Sequence, residues 1–416
     1  MAVVLIGTLD TKGGELAFVR DQIRAQGVET LVIDAGSQGP PTLDPDIGRD
    51  EVFRRAGTSA EAVTERGDRG EAVAKAAEGA ASLVADLHRE GRVDGVFGLG
   101  GSAGTVIGSA AMRALPFGVP KVMVSTLASG QTRPFVGGSD IAMFHPVADL
   151  AGLNRLTKMA LSNAAHALVG MVKGPRVIDD PADRRPVVAA TMFGVTTPCV
   201  DRARRRLEAE GCEVLVFHAT GIGGLAMEGL IRDGRVDAVL DLTTTELADE
   251  HVGGILSAGP DRLKAAVRRG IPQVVSVGAL DMVNFGPRAT VPERFAGRLF
   301  YQHNPSVTLM RTMPEENAAI GARMGEILAG ATADVAVFLP LGGVSALDAP
   351  GRPFHDPEAD SALFAAIHQK LDGLASDDGS GRMIGVEDRP EHINDPAFAD
   401  LAACTLLLLL QQRRQS

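Results

Sequence analysis

Small and polar residues follow four predicted strands near the start of the chain. Ligands of parallel α/β sheets bind beyond the carboxyl ends of the strands, so these turns form a first candidate site. Glycines let a ligand approach the backbone, and the next helix offers free N–H groups to a phosphate. The turns therefore predict a nucleotide or a phosphorylated metabolite as the ligand. The residues concerned are Thr8, Asp10, Thr11, Lys12, Asp34, Gly100, Gly101, Ser102, Gly104, Thr105, Ser125, Thr126, Ser129 and Gly130.

Three of these side chains have a specific expected role toward a nucleotide. We expect Lys12 to pair with phosphate oxygens. Asp10 is the expected metal ligand, because proteins bind magnesium through one or two carboxylates plus phosphate. Asp34 ends the second predicted strand, where a ribose-binding acid would lie. The alternative is that the glycines, serines and threonines only build turns and helix caps.

Two known motifs overlap the glycine-rich turn, a dinucleotide-binding pattern and a nucleophile elbow. A third motif, the Walker-type phosphate loop, is absent from the sequence. The sequence has no G-x-x-x-x-G-K-[ST], which excludes a Walker-type phosphate loop. Gly98-x-Gly100-x-x-Ala103 fits the dinucleotide pattern but follows a later strand than the first. The same turn fits the nucleophile-elbow pattern G-x-S-x-G, with Ser102 as nucleophile. We favour a glycine-rich turn, because the residues that could complete a hydrolase have no typical context: Asp140, Asp149, His145 and His166.

A second polar group lies in the later part of the chain, and we predict catalytic roles for three of its members. His218 ends the predicted strand Val214–Phe217 beside a glycine turn, where an imidazole can act as an acid or a base. Glu246 follows the next strand, and His303 comes later. An imidazole, hydroxyls and a carboxylate suit proton transfer on a polar substrate. Structural histidines or a metal site are the alternatives, although no H-E-x-x-H motif is present.

The elements that must position these residues are repeated β-α-β units. Apolar runs without alternation indicate strands that are buried on both faces of a parallel sheet. One unit begins at Ala2 and another at Pro186. Ordered matches between the two parts indicate an internal duplication. The matching segments are Arg24–Gly39 with Glu208–Gly223, Gly91–Gly100 with Gly234–Thr243, and Phe117–Thr126 with Arg269–Gly278.

The fold class predicted from this pattern is α/β, with two Rossmann-like parallel-sheet subdomains related by internal duplication. We expect a nucleotide-binding subdomain over residues 1–175 and a second subdomain with the substrate site over 185–416. The insertion Gly36–Gly79 is expected to cover a site, with a long helix over Ser59–Ala85. The last predicted elements are strands at Val335–Leu339 and near Met383–Val386, and a helix over Pro396–Gln412.

The composition argues against several classes of protein. A net charge of −11 and 4% aromatic residues give neither a basic groove nor stacking platforms, so we expect no nucleic-acid partner. The start of the sequence lacks the features of a signal peptide. The longest apolar run, Thr405–Leu410, is too short to cross a bilayer, so we expect no membrane partner. Three cysteines without a metal-binding spacing favour buried thiols in the cytoplasm.

Long motifs along nearly the whole chain carry a family resemblance. They include IGTLDTKGGE, GLGGSAGT, DLTTTELADE, HNPSVTLMRT and FLPLGGVSALDAPG. The sequence resembles the Tm-one-like ATP-binding domain family, which includes the N-terminal region of a tomato mosaic virus resistance protein and uncharacterised bacterial proteins. The resemblance implies two Rossmann-like subdomains and a homodimer or larger oligomer. It also implies ATP in the first subdomain, at the Asp10–Lys12 and Gly100–Thr105 loops.

The leading functional hypothesis is an enzyme of small-molecule metabolism that depends on ATP and Mg2+. Its site would lie in the crevice between the subdomains, with a small-molecule substrate near His218 and His303. Transferase, ligase and hydrolase activities remain open. One alternative is a non-catalytic interaction module regulated by a nucleotide. Another is a lyase, isomerase or hydrolase for small carboxylates. Surplus apolar residues in Ala142–Met171 and Pro396–Leu410 predict a homo-oligomer, a dimer or larger.

Overall fold

The computed structural model describes residues 2–130, 132–175, 185–373 and 383–415. The chain divides into two compact units, Met1–Asp179 and Asp180–Ser416. Each unit is built around a parallel β-sheet with its own hydrophobic core. In the described ranges, no helix is long and apolar enough to cross a membrane.

The first unit contains a five-stranded parallel sheet in the order β2-β1-β3-β4-β5. Both faces are covered: Val4 packs in a core with α4 and α5, whereas its neighbour Val3 packs in a core with α1 and α7. The strands are β1 (Ala2–Gly7), β2 (Thr30–Asp34), β3 (Val93–Gly100), β4 (Lys121–Ser125) and β5 (Ala142–Phe144). The helices are α1 (Leu9–Arg24), α2 (Arg49–Arg55), α3 (Ala60–Arg66), α4 (Arg69–Arg89), α5 (Ser102–Arg113), α6 (Arg133–Val136) and α7 (Arg155–Lys173).

The long helix predicted over Ser59–Ala85 is two helices, α3 and α4. The break falls at Gly67, whose φ of 66° ends α3 in the left-handed conformation that favours glycine. Asp68 then starts α4, because its side chain accepts hydrogen bonds from the backbone of Gly70 and Glu71. The prediction of a single helix was wrong because it passed over a stop signal followed directly by a start signal.

The second unit contains a six-stranded parallel sheet in the order β14-β13-β9-β8-β6-β7 and a small antiparallel sheet in the order β10-β12-β11. The strands are β6 (Val187–Met192), β7 (Glu213–His218), β8 (Ala238–Thr243), β9 (Gln273–Gly278), β10 (Met282–Phe285), β11 (Phe300–Asn304), β12 (Val307–Arg311), β13 (Val335–Pro340) and β14 (Ile384–Arg389). The helices are α8 (Thr197–Ala209), α9 (Ile222–Arg232), α10 (Glu246–Val252), α11 (Lys264–Arg269), α12 (Pro314–Ala329), α13 (Pro357–Leu371) and α14 (Pro396–Gln415).

The two parallel sheets share their strand order. The run β2-β1-β3-β4 in the first unit recurs as β7-β6-β8-β9 in the second. Gly27 and Gly211 follow the first helix of each unit with φ of 70° and 83°, and Gly91 and Gly234 precede the third strands with φ of 71° and 73°. Left-handed glycines at matching helix ends agree with a duplicated frame. The predicted α/β class with two Rossmann-like parallel sheets is confirmed.

The C-terminal helix α14 is buried within its own unit. Phe398, Ala402 and Leu406 pack with α8 and the strands β6 and β8, and Leu408 stays exposed. The apolar surplus in Pro396–Leu410 is therefore used inside the second unit. The antiparallel sheet β10-β12-β11 was not predicted, because its strands have only four or five residues. Its hairpin also carries His303, which was predicted as a catalytic residue.

Candidate functional site

A cleft of about 300 Å³ opens at the carboxyl edge of the first sheet. It brings together the turn after β1, the turn between β3 and α5, the start of α4 and the loop before α7. Eight of the predicted ligand-binding residues line it: Thr8, Asp10, Thr11, Lys12, Gly100, Gly101, Ser102 and Gly104. The other six lie outside its lining: Asp34, Thr105, Ser125, Thr126, Ser129 and Gly130.

The turn between β3 and α5 requires glycine at two positions. Gly100 has a φ of +155°, and a Cβ there would lie 2.9 Å from the Cα of Gly104. A Cβ on Gly104 would lie 2.7 Å from the carbonyl oxygen of Leu99. The two glycines thus let the strand turn directly into the helix, with the backbone exposed to the cleft.

The start of α5 is an open position for an anion. Gly101 precedes the helix and has no side chain to cap it. The N–H groups of the first helical turn have no acceptor within their own helix, and the helix dipole makes this end partly positive. Because Ser102, Ala103 and Gly104 all line the cleft, this end of α5 faces the space where a ligand would bind.

Two predicted ligand residues hold this turn in place. Thr105 Oγ1 donates to the carbonyl oxygen of Gly101 at 2.7 Å and lies 2.7 Å from Ser125 Oγ. Since the only hydroxyl hydrogen of Thr105 is used on Gly101, Ser125 donates to Thr105 and accepts from the N–H of Leu127 at 3.0 Å. Both hydroxyls are buried, so they link α5 to the end of β4.

The remaining residues after β4 lie beyond the turn. The N–H of Thr126 donates to the carbonyl of Gly100 at 3.3 Å, and Ser129 and Gly130 are exposed. Their contact with a ligand stays a prediction.

Asp10 stands in the first turn of α1 with one carboxylate oxygen fixed and one free. Its Oδ2 accepts from the N–H of Gln38 at 2.8 Å and of Gly39 at 3.3 Å. A Cβ on Gly36 would lie 2.7 Å from the Asp10 carboxylate, so only glycine allows this approach. Among the described residues, the buried Oδ1 of Asp10 has no hydrogen-bond partner.

A second carboxylate, that of Asp149, lines the same cleft from the loop before α7. It is exposed, and the described part of the chain provides it with no ion-pair partner. Two carboxylates with free oxygens fit a magnesium ion that takes its other ligands from phosphate and water. The described residues include no group of three or more His, Cys, Asp or Glu arranged to hold a metal.

Lys12 reaches across the base of the cleft to the loop before α7. Its ammonium group donates to the carbonyl of Leu150 and lies 3.8 Å from Glu15 Oε1. The buried Glu15 also accepts from the N–H of Gly152 at 2.9 Å. Lys12 therefore tethers the loop that carries Asp149 while it lines the cleft. Thr8 and Thr11, whose hydroxyls lie 2.8 Å apart, complete this first turn of α1.

Asp34 is a buried structural residue in this arrangement. Its Oδ1 accepts from the N–H of Leu9 at 3.1 Å and of Gly36 at 2.9 Å, and its Oδ2 accepts from Arg49 Nε at 2.8 Å. With both oxygens occupied, the carboxylate closes the turns after β1 and β2. We assign no ligand contact to Asp34.

Helix α4 provides a wall of the cleft that the sequence motifs did not indicate. Arg69 lies in the first turn of α4 with an exposed side chain and no recorded ion pair in the described ranges. Behind it, Ala72, Val73 and Ala76 present an apolar surface, which Ile107 of α5 extends. The expectation that the insertion Gly36–Gly79 covers a site pointed to this region of the chain. No spacing pattern linked the residues of the insertion to the glycine turn.

The second predicted site is not assembled by contacts in the structure. His218 is exposed at the end of the edge strand β7 and stacks on Phe193, with ring centroids 5.5 Å apart. His303 is exposed on β11. In the described parts of the chain, no hydrogen bond or ion pair joins any two of His218, Glu246 and His303. Their catalytic roles stay predictions.

Glu246 is wholly buried and fully bonded. Its Oε1 accepts from the N–H of Gly221 at 2.6 Å and of Gly224 at 3.0 Å, at the start of α9. Its Oε2 accepts from Arg262 Nε at 2.7 Å. Burial raises the pKa of Glu246, and the guanidinium of Arg262 opposes that shift.

The buried Arg262 connects Glu246 to two further acids. Its Nη2 donates to Asp241 Oδ1 at 2.8 Å, and its Nη1 lies 3.5 Å from Glu228 Oε1. Burial also raises the pKa of Glu228. No local pattern in the sequence indicates this network, because Arg262 lies 16, 21 and 34 residues away from its three partners.

Comparisons with known proteins agree with the two-part organisation. Residues 1–176 match the N-terminal domain of the uncharacterised protein family UPF0261, and residues 185–410 match its C-terminal domain. The chain belongs to the UPF0261 family. A UPF0261 protein from Clostridium tetani is 50% identical over 410 residues, covering 99% of both chains. One from Rhizobium meliloti is 46% identical over 400 residues, covering 96% of this chain and 97% of the relative.

A plant relative confirms the resemblance seen in the sequence motifs. The ToMV resistance protein Tm-1(GCR237) of Solanum lycopersicum is 41% identical over 430 residues. The match covers 99% of this chain and 56% of the tomato protein. This UPF0261 chain therefore corresponds to about half of that longer relative.

Proposed function

We propose that the protein binds ATP together with Mg2+ in the cleft of its first unit. The observation that carries the proposal is the uncapped start of α5, which opens into the cleft through the glycines at 100, 101 and 104. Open N–H groups at a helix start bind phosphate. Lys12 and Arg69 line the same cleft and supply positive charge in a chain of net charge −11.

The carboxylates of the cleft support the magnesium part of the proposal. Asp10 has a buried free oxygen, and Asp149 lies at the same cleft. These two residues would hold the ion, which would neutralise part of the phosphate charge when bound. The contacts from Gln38 and Gly39 fix the direction of the Asp10 carboxylate before any ligand arrives.

The apolar wall of the cleft supports a ligand with a flat ring as well as phosphates. Val73 is partly exposed, with the buried Ala76 and Ile107 beside it, so this wall offers an apolar surface on which a base can pack. Ser37 and Gln38 add hydrogen-bonding groups at the same side of the cleft. A nucleotide uses both halves of this surface.

We further propose that the protein is an enzyme of small-molecule metabolism, a transferase, ligase or hydrolase that uses this ATP. A cytoplasmic location fits the free cysteines Cys199, Cys212 and Cys404. A homodimer or larger assembly fits the exposed apolar side chains around the start of α7: Val147, Leu153, Leu156 and Met159. Light scattering tests the assembly, and a monomer of 43.3 kDa at micromolar concentration would contradict it.

Calorimetric titration of ATP in the presence of Mg2+ tests the binding site. Ser102→Asp places a negative charge in the first turn of α5, where it stabilises the helix but repels phosphate. We expect ATP affinity to fall at least about tenfold, or about 1.4 kcal/mol, with no fall in melting temperature. Ala397→Asp is the matched control, because it adds the same charge to the exposed first turn of α14, outside the cleft. Equal ATP affinity in the two variants would reject the site.

A further inference from the structure

The second unit contains a buried cluster of three aspartates around one arginine, which we call the aspartate cluster. Asp281 lies between β9 and β10, and Arg311 ends β12. Asp348 lies in the loop between β13 and α13, and Asp360 lies in the first turn of α13. Four segments that are distant in the sequence thus meet through charged side chains in the core.

Arg311 cannot neutralise all three carboxylates of the cluster. Its Nη2 donates to Asp360 Oδ1 at 2.8 Å and lies 3.9 Å from Asp348 Oδ1. Its other donors are occupied by neutral acceptors: Nε donates to the carbonyl of Phe354 at 2.8 Å, and Nη1 donates to Thr312 Oγ1 at 2.9 Å. If every group were ionised, the cluster would carry two excess negative charges.

Two buried carboxylate oxygens of the cluster accept no hydrogen bond from the described residues. Asp281 Oδ2 accepts from Ser345 Oγ at 2.7 Å, and Asp348 Oδ2 accepts from the N–H of Val344 at 2.9 Å. The Oδ1 atoms of both aspartates have no hydrogen-bond partner among the described residues. Two histidines lie beside the cluster: His355 Nδ1 is 3.8 Å from Asp348 Oδ1, and His392 Nε2 is 2.9 Å from the carbonyl oxygen of Ser345.

Uncompensated buried charge is costly, so protons or a cation must balance the cluster. The described residues offer no group of three acids or other ligands arranged around a metal position, which favours protons. The pKa values agree with this choice. Burial raises the pKa of Asp281 to about 7. Burial and the neighbouring charge of Asp348 raise the pKa of Asp360 to about 8.

We propose that the aspartate cluster holds protons at neutral pH and that their loss in mildly alkaline solution loosens the loop of residues 344–360. Ionised Asp348 and Asp360 would repel each other, and both are anchored in or beside this loop. The second unit would thereby respond to pH without any contribution from the cleft of the first unit. The stabilisation from the neutral cluster is complete below the unfolded-state pKa of about 3.9 and is lost as pH rises through about 7 to 8.

Tyrosine fluorescence can report on this loop specifically. Tyr301 is the only tyrosine of the chain, and the chain has no tryptophan. Its ring packs edge-on against Phe354 of the loop, with centroids 6.3 Å apart. Urea unfolding of the full chain, followed by this fluorescence between about pH 6 and about pH 9, therefore measures the stability of the region around the cluster. For each proton held, the unfolding constant should rise about tenfold per pH unit up to the folded-state pKa and level off above it.

The decisive comparison is between Asp360→Asn and Glu358→Gln. Asparagine mimics a protonated aspartate and can still accept from Arg311, whereas Glu358 is an exposed acid in the same turn of α13. We expect Asp360→Asn to be more stable than the wild type, with an advantage in the unfolding constant that is at least about tenfold larger at pH 9 than at pH 6. Glu358→Gln should follow the wild type at both values.

Two results would overturn the proposal. Equal destabilisation of Asp360→Asn at both pH values would mean that Asp360 is ionised and paired with Arg311 throughout. Stabilisation of the wild type at pH 9 by Mg2+ or Ca2+, absent in Asp281→Asn, would mean that a cation balances the cluster. Should Asp360→Asn fail to fold, Asp281→Asn provides the same test, with greater stability than the wild type at pH 9 as the expected result.

Discussion

A helix start at the carboxyl edge of the parallel sheet is open in the first unit and occupied by a side chain in the second. In the first unit, α5 begins after Gly101 with open N–H groups that face the cleft. In the second unit, the corresponding helix α10 begins with Glu246, whose carboxylate accepts hydrogen bonds from Gly221 and Gly224 at the start of α9. One unit leaves an anion position open, and the other fills such a position with its own side chain.

The two units also differ within the strand that precedes each helix, which is β3 in the first unit and β8 in the second. Gly98 of β3 lies close against Met123. A Cβ at residue 98 would lie only 2.8 Å from the Met123 sulfur. Its counterpart in the aligned segment, Asp241 of β8, binds the buried Arg262. In the second unit, a buried ion network thus occupies the position where the first unit has a glycine and apolar packing. The comparison teaches that a duplicated frame need not keep duplicated chemistry.

The largest expected effect is that of removing the internal anion from the second unit. Glu246→Ala leaves Arg262 Nε and two buried N–H groups without an acceptor and removes one carboxylate beside the buried guanidinium, so the free energy of unfolding should fall by about 3–5 kcal/mol. Urea unfolding with Tyr301 fluorescence measures it. Glu246→Gln keeps an acceptor and should lose less. A loss below about 1 kcal/mol in Glu246→Ala would contradict the role given to this carboxylate.

Replacing a glycine of the open turn should have the next largest effect. Gly104→Ala brings a Cβ to within 2.7 Å of the Leu99 carbonyl oxygen, which should cost about 1–3 kcal/mol and weaken ATP binding. Gly14→Ala is the control, because nothing lies within 4 Å of its Cβ position in α1. The control should gain up to about 1 kcal/mol. Thermal unfolding by circular dichroism compares the two, and similar values would show that the turn tolerates a side chain.

A smaller effect is expected from the exposed cation of the first unit. Arg69→Ala should lower ATP affinity about tenfold, or about 1.4 kcal/mol, because one cation of the phosphate-binding cleft is lost. Its melting temperature should not change, since the side chain is exposed. Arg89→Ala, at the other end of α4, should leave affinity unchanged. Calorimetry separates the variants, and equal affinities would place the phosphates away from α4.

The smallest expected effect concerns the exposed histidines of the second unit. His218→Ala and His303→Ala should leave ATP affinity in the first unit unchanged, since the two side chains lie on β7 and β11. A loss of ATP-dependent turnover of small hydroxy or keto acids in these variants would support their predicted catalytic roles. A tenfold loss of ATP affinity would contradict an ATP site formed by residues of the first unit alone.

Local patterns in the sequence predicted the fold and eight of the residues that line the first cleft. Gly100, Gly104 and Lys12 could be found because the turns after β1 and β3 read directly as strand, glycine and helix start. The strand order and the shared helix-ending glycines followed from the internal matches. These features depend on residues that are close in sequence, which is where single-sequence patterns carry information.

What the sequence could not give was the set of long-range partners. Asp34 follows its strand as a ribose-binding acid would, but Arg49 and two N–H groups occupy it. Glu246 follows its strand as a catalytic acid would, but Arg262 and the start of α9 occupy it. Arg69 joins the cleft from another helix. A strand-end acid has the same local pattern whether a ligand or a distant side chain satisfies it.

The most direct test of the central claim is the structure of the chain crystallised with ATP and Mg2+. We predict phosphate density within hydrogen-bonding distance of the N–H groups of residues 102–104, with the metal beside Asp10. We predict no nucleotide at Gly221 and Gly224, where Glu246 already accepts both N–H groups. A nucleotide bound in the second unit, or a first cleft left empty at saturating ATP, would contradict it.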